Sequence, residues 1–182
     1  SRSGARFDYD KALWFNSQYL QALDNEQLAA LIYPLLVRNY GDVDEHMLPE
    51  YCGLFKERAQ VLDDLVEQGR YVFEDPKQYD QAFVNKKWSA EMAGHFSDLH
   101  GRLQLLGTFG HEDLEGVIKP LIQERNLRFG DVLQLLRCCV SGSPKGPDVF
   151  RMLTLLGRDT VLQRLSTSIE RFNQVIAMDQ HG

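Results

Sequence analysis

GDVLQLLRCCVSGSPKGPDVFRMLTLLG, residues 130–157, reads as an apolar helix, a loop of small residues and a second apolar helix. The first helix carries a single cation, Arg137, near its end. The loop, Ser141-Gly142-Ser143-Pro144-Lys145-Gly146-Pro147, removes side-chain bulk and leaves main chain exposed. Pro147 is expected at the first position of the second helix, where its fixed φ suits the turn and its missing N–H costs nothing. The amides that follow would then point into the space beside the loop.

Outward from this stretch the chain keeps the same helical period, with no alternating run that reads as a strand. Asp8 and Asp10 are candidate caps for a helix through KALWFNSQYLQAL, with Leu13, Trp14, Tyr19 and Leu20 as its apolar stripe. Asp24 or Asn25 starts a second, with Glu26 at its positive end and Arg38 at its negative end. A third helical region is expected from Asp44 to about Gln68, broken near Pro49 and ended by Gly69. A turn follows around Pro76, then a short helix, AFVNKKW, and a long one from Ser89 to about Leu106. After the break at Gly107 and Gly110 come a helix over 112–125, the opening pair, and a last helix, DTVLQRLSTSIERF, with ten frayed residues behind it. Eight to ten helices without an internal repeat make an all-α chain. Its pattern is weakest between Pro76 and Trp88, which suggests two packed helical subdomains, 1–80 and 81–182.

The 182 residues are 43% hydrophobic and 25% charged, enough for a real core. The longest apolar run, Leu28 to Val37, is too short to span a membrane. The chain starts without Met and without a signal segment, so a fragment or processed product is expected. Three cysteines, Cys52, Cys138 and Cys139, cannot all pair within one chain and fit a reducing, cytoplasmic setting. Cys138 and Cys139, inside an apolar helical run, are expected as small core residues. His95 and His100 project about 140° apart around a helix, so no metal site is expected from them.

Net charge is −6, which by itself speaks against a polyanionic partner. The charge is uneven, however. Residues 1–118 hold 11 basic against 20 acidic residues, and 119–182 hold 9 against 6, a net of +3. Either the second part approaches a polyanion or its basic residues simply coat a solvated face. No convergent polar constellation for catalysis stands out, and the acidic clusters at 42–45 and 63–64 read as caps and solvated faces.

Arg137 has two candidate roles: stabilising a helix C-terminus, or presenting a planar donor fork over a backbone-rich site that suits a base edge or a phosphate. Arg58, in FKERAQVLDDL, is the second candidate, because no acidic residue stands at ideal helical spacing from it. A rival use of the chain is a protein-interaction module without RNA binding, presenting Trp14, Tyr19, Tyr71 and Phe73 as an exposed aromatic surface. A small helical enzyme is a third, which the missing polar constellation disfavours.

At these residues the chain resembles the C-terminal anticodon-binding region of bacterial-type glutamyl-tRNA synthetase, a class I aminoacyl-tRNA synthetase. The resemblance spans FDYDKALWFNSQYL, then KERAQVLDDL with GRYVFEDPKQYD. Most specifically it covers GDVLQLLRCCVSGSPKGPDVFRMLTLLGRDTVLQRL, where the family has a helix ending in LR, a small-residue loop, P-x-x-F, LLG and RL. It implies an α-helical cage of two subdomains that holds the anticodon loop of tRNA(Glu), with bases contacted by Arg58, Arg137, Gly146, Pro147 and Val149. Arg58 would match the family's arginine that reads the third anticodon base and so rejects glutamine tRNA. With the two arginines on different subdomains, the base-reading pocket is expected at the seam. The family often has Thr where Gly146 stands, Leu where Val149 stands and alanines where Cys138 and Cys139 stand. The resemblance further implies an N-terminal catalytic region of the same polypeptide that uses ATP and Mg2+, a monomer, and no cofactor, catalytic residue or membrane contact in the present chain. Single-stranded loops are read by planar groups and exposed main chain, so a domain acidic overall is compatible with that role.

Overall fold

The structure is a computed structural model and describes residues 2–180, with the side chain of residue 180 left aside. Among the described residues there are helices, turns and loops but no strand, so the all-α expectation holds. No helix among them is long and apolar enough to cross a membrane. The chain divides into two compact units, Ser1–Glu74 and Asp75–Gly182.

In the first unit, α1 (Arg2–Ala22) is followed by α2 (Asn25–Tyr40), whose start is set as the sequence suggests. The Asp24 carboxylate accepts from the Gln27 N–H at 2.7 Å, and the Gln27 side chain accepts from the Asp24 N–H at 3.2 Å. Leu28, Ile32 and Leu36 recur every four residues and are fully buried against α3 (Leu48–Phe55) and α4 (Leu62–Gln68). Pro34 sits inside α2 on its exposed side.

The region expected as one helix broken near Pro49 breaks elsewhere. Pro49 lies in the first turn of α3, where no intrahelical N–H is lost. The interruption comes after a 3-10 turn at Lys56–Arg58: the chain goes extended at Ala59, and the Asp64 carboxylate accepts from the Gln60 and Val61 N–H groups at 2.8 and 3.2 Å to start α4. Gly69 then caps α4 and leads into a single helical turn, α5 (Arg70–Phe73).

Aromatic rings fill the space behind α5. Tyr40 stacks on Phe73 at 4.9 Å, Phe73 packs on Tyr51 at 5.4 Å, and Phe55 lies edge-on to Tyr71 at 5.8 Å. Tyr40 donates to the Val66 carbonyl at 2.7 Å, and the fully buried Tyr51 donates to the Leu65 carbonyl. Burial pushes the Tyr51 phenol well above its ordinary range, so it stays a donor. Tyr71 and Phe73 are thus part of this internal cluster, not of an exposed aromatic surface. Trp14 and Tyr19 do stand exposed, at 57% and 62%, because α1 buries only Leu20 of its expected stripe.

The second unit runs α6 (Gln81–Lys87), α7 (Ala90–Gln104), α8 (His111–Glu124), α9 (Phe129–Ser141), α10 (Val149–Leu156) and α11 (Arg158–Gln180). Ser89 caps α7 by accepting from the Met92 N–H at 3.0 Å, as anticipated. Phe96, Leu99 and Leu103 of α7 are buried, and α7 and α9 both pack on α11. Leu106 lies just beyond the helix, whose last residue is Gln104. Trp88 meets Phe96 and Phe172 edge-on at 5.3 and 5.2 Å, and its indole donates to Asn173 at 2.9 Å. The tail expected to fray is helical: α11 continues to Gln180, and the two residues after it lie outside the described part. All three cysteines are free and buried, so Cys138 and Cys139 are core residues as expected.

Candidate nucleic-acid interface

The end of α9 is the best-built feature of the second unit. A helix leaves its last four carbonyls without intrahelical partners, and α9 ends inside the protein, so those groups need donors. Gly142 turns the chain with φ +88° and returns its own N–H to the Cys138 carbonyl at 2.8 Å. Ser168 on α11 donates to the Cys139 carbonyl at 3.0 Å, and Arg164, one turn earlier on the same face, donates to the Val140 carbonyl at 2.8 Å. Arg164 is only 4% exposed, and its Nε also donates to Asp75 at 3.0 Å. Hydrogen bonds from Gln163 and then from Arg164, with the arginine's charge, hold the Asp75 carboxyl below the usual carboxylate range.

The loop beyond Gly142 is organised by Arg137. Its Nη1 donates to the Pro144 carbonyl at 2.7 Å and its Nε to the Pro147 carbonyl at 3.2 Å. These are charge-assisted bonds, stronger than neutral ones, and they close the loop around the half-buried guanidinium. Ser141 donates back to the Arg137 carbonyl at 2.7 Å, and the Lys145 N–H bonds to the Ser143 hydroxyl at 3.2 Å. Gly146 lies against the arginine stem: a Cβ there would stand 3.0 Å from Arg137 Cδ. So the structure gathers Arg137, Gly146 and Pro147 into one small-residue wall.

Two details differ from the sequence expectation. Pro147 is not the first helical residue. Asp148 caps α10, its carboxylate accepting from the Arg151 N–H at 2.9 Å, so one of the helix's opening amides is already used. Val149 opens α10 with the whole residue, main chain included, only 2% exposed, so it presents almost no surface.

Arg58, in the first unit, ends the 3-10 turn rather than riding a continuous helix. Its side chain is exposed and has no ion-pair or hydrogen-bond partner among the described residues; its carbonyl accepts from Gln68 at 3.0 Å. Sequence reasoning missed Arg164, Ser168 and Asp75. The available signal was Arg164 and Ser168 at i, i+4 on the face that buries Val161 and Leu165, where polar groups need partners. Among the described residues no group of three or more His, Cys, Asp or Glu side chains could hold a metal ion.

Comparison with known proteins accords with this geometry. The anticodon binding domain family matches residues 26–169. The glutamate–tRNA ligase of Porphyromonas gingivalis W83 is 33% identical over 170 residues, which are 93% of this chain and 34% of that protein. The chain therefore spans about a third of the length of the curated relatives it matches. Among solved structures, a glutamate–tRNA ligase from Elizabethkingia meningosepticum in complex with its amino acid superposes with a TM-score of 0.83 at 32% identity, covering 88% of this chain and 32% of that one. The enzyme from Elizabethkingia anophelis gives 0.80 at 28% identity, covering 88% and 31%. A helical fold of this similarity, with a match across most of its length, places the chain in the anticodon binding domain family.

Proposed function

We propose that the chain is the anticodon-reading module of a cytoplasmic glutamate–tRNA ligase, monomeric, whose catalytic region precedes it in the same polypeptide. ATP and Mg2+ belong to that region, and no residue described here is assigned to them. The observation that carries the proposal is the loop closed and braced by Arg137. Its carbonyl bonds fix Pro144 and Pro147, and Gly146 keeps side-chain bulk away, so main chain and a guanidinium plane face an incoming nucleotide. Arg58, exposed and unpaired, is the second base-reading arginine. Val149, buried, is given no base contact of its own.

The test is a titration of the chain with the anticodon stem-loop of glutamate tRNA at fixed salt. Arg137→Ala is expected to weaken binding by about 1–3 kcal/mol, the scale of a good bidentate base contact. Affinity equal to the parent's would overturn the role given to Arg137. For Arg58, the quantity to compare is the ratio of affinities for glutamate and glutamine stem-loops. Arg58→Gln is expected to shrink that ratio, and an unchanged ratio would remove Arg58 from anticodon discrimination.

A further inference from the structure

The segment 77–81 and the C-terminal half of α11 enclose a groove of about 560 Å³, in the range of small-ligand sites, that none of the residues above accounts for. On one side the Arg171 guanidinium lies over the Tyr79 ring, 5.7 Å from its centroid, and Tyr79 in turn meets Phe172 edge-on at 5.2 Å. Arg171 is exposed, whereas Phe172 is buried, so the stack is anchored in the core and ends at the surface in a flat cation. Lys77, Gln78, Gln81 and Gln174 supply the rest of the polar lining, and Val175 and Met178 an apolar strip along α11.

The chemistry of this lining is specific. An anchored guanidinium–phenol stack offers a plane on which any base can continue the pile. Lys77 supplies a charge for a phosphate. The three glutamines supply donors and acceptors for a base edge without adding charge. The stack, the lysine and the amides each have a partner in an anionic backbone with flat bases, and Val175 and Met178 offer apolar surface on which a base or sugar can rest.

The groove also adjoins the Arg137 loop. Gln78 lines the groove, and its carbonyl abuts Gly142 so closely that a Cβ on that glycine would overlap it. The Asp80 N–H donates to the Gly142 carbonyl at 2.9 Å. One wall of the groove is therefore pinned to the loop that Arg137 braces.

We propose that the Tyr79–Arg171 stack is a second nucleotide site, which takes a base flanking the anticodon in the same single-stranded RNA loop. It rests on the RNA-reading function given above. The probe is the anticodon stem-loop of glutamate tRNA carrying 2-aminopurine at a loop position next to the anticodon, titrated into the 182-residue chain. Stacking is expected to quench the probe on binding.

Arg171→Lys keeps the charge and loses the plane. It is expected to lower affinity about fivefold, relieve the quench and leave the salt dependence as it was. Tyr79→Leu is expected to do the same, and Tyr79→Phe, which retains the ring against Phe172, to behave as the parent. Because Arg171 is exposed, its variant reports binding without a folding penalty. If Arg137→Ala weakens binding while Arg171→Lys matches the parent in both affinity and quench, the second site is overturned and the RNA-reading function stands. If the parent chain does not bind the stem-loop at all, both are overturned.

Discussion

Gly142→Ala is expected to cost roughly 3–5 kcal/mol, enough to lower the melting temperature by about 10 °C or more. Two effects act at this residue. Its φ of +88° lies in the left-handed region that side chains with a Cβ adopt at a cost. A Cβ would also overlap the Gln78 carbonyl, a main-chain atom that cannot rotate away. The Gly142 carbonyl and N–H are both engaged, with Asp80 and Cys138, so the turn cannot simply shift. Gly142→Asn separates the two effects. Asparagine tolerates positive φ, so strain alone would leave it mild, but it carries the same Cβ and is expected to be nearly as damaging. Circular-dichroism melts of the two variants check this, and an alanine variant melting within about 2 °C of the parent would show that the 75–80 segment yields freely.

Gly69→Ala is expected to cost about 2–4 kcal/mol in the first unit, by overpacking alone. Here φ is −95°, unremarkable for any residue, so backbone strain plays no part. The obstacle is Tyr51, whose hydroxyl and ring carbons occupy the place where a Cβ would go. Tyr51 is fully buried, packs between Phe55 and Phe73, and donates to the Leu65 carbonyl, so any shift of the ring sacrifices a buried hydrogen bond. A double-mutant cycle is the measurement. In a Tyr51→Leu background the alanine is expected to cost much less, and strictly additive effects would mean that the tyrosine is not the obstacle.

These two glycines show what sequence can and cannot carry. Asp24, Ser89 and Gly110 announced helix boundaries correctly because capping is settled within four residues of chain. Pro49 misled because a proline is equally at home in a first helical turn and at a break, and the real break depends on Asp64 reaching back to Gln60. The aromatics at 71 and 73 looked available because nothing local says that Tyr40 and Tyr51 will close over them.

The candidate site divides in the same way. Arg137 and its small-residue loop could be singled out from composition and position, but its two bonds to the Pro144 and Pro147 carbonyls follow from how the loop folds back. Arg164 was invisible as a structural cation because its partners, Asp75 and the Val140 carbonyl, stand 89 and 24 residues away along the chain. Tertiary hydrogen bonds at a buried helix end have no local signature beyond an out-of-place polar residue on an apolar face.

The buried thiols have a chemical consequence. Burial raises Cys52 to about 12 and Cys138 to about 11, and raises Cys139 as well, so almost no thiolate exists at neutral pH. An alkylating reagent or an oxidant must therefore wait for the surrounding helices to part. Cys52 sits in the first unit and the Cys138–Cys139 pair in the second. Each unit thus carries its own internal clock, which starts only when that unit opens and leaves a permanent mass label on the cysteine it exposed.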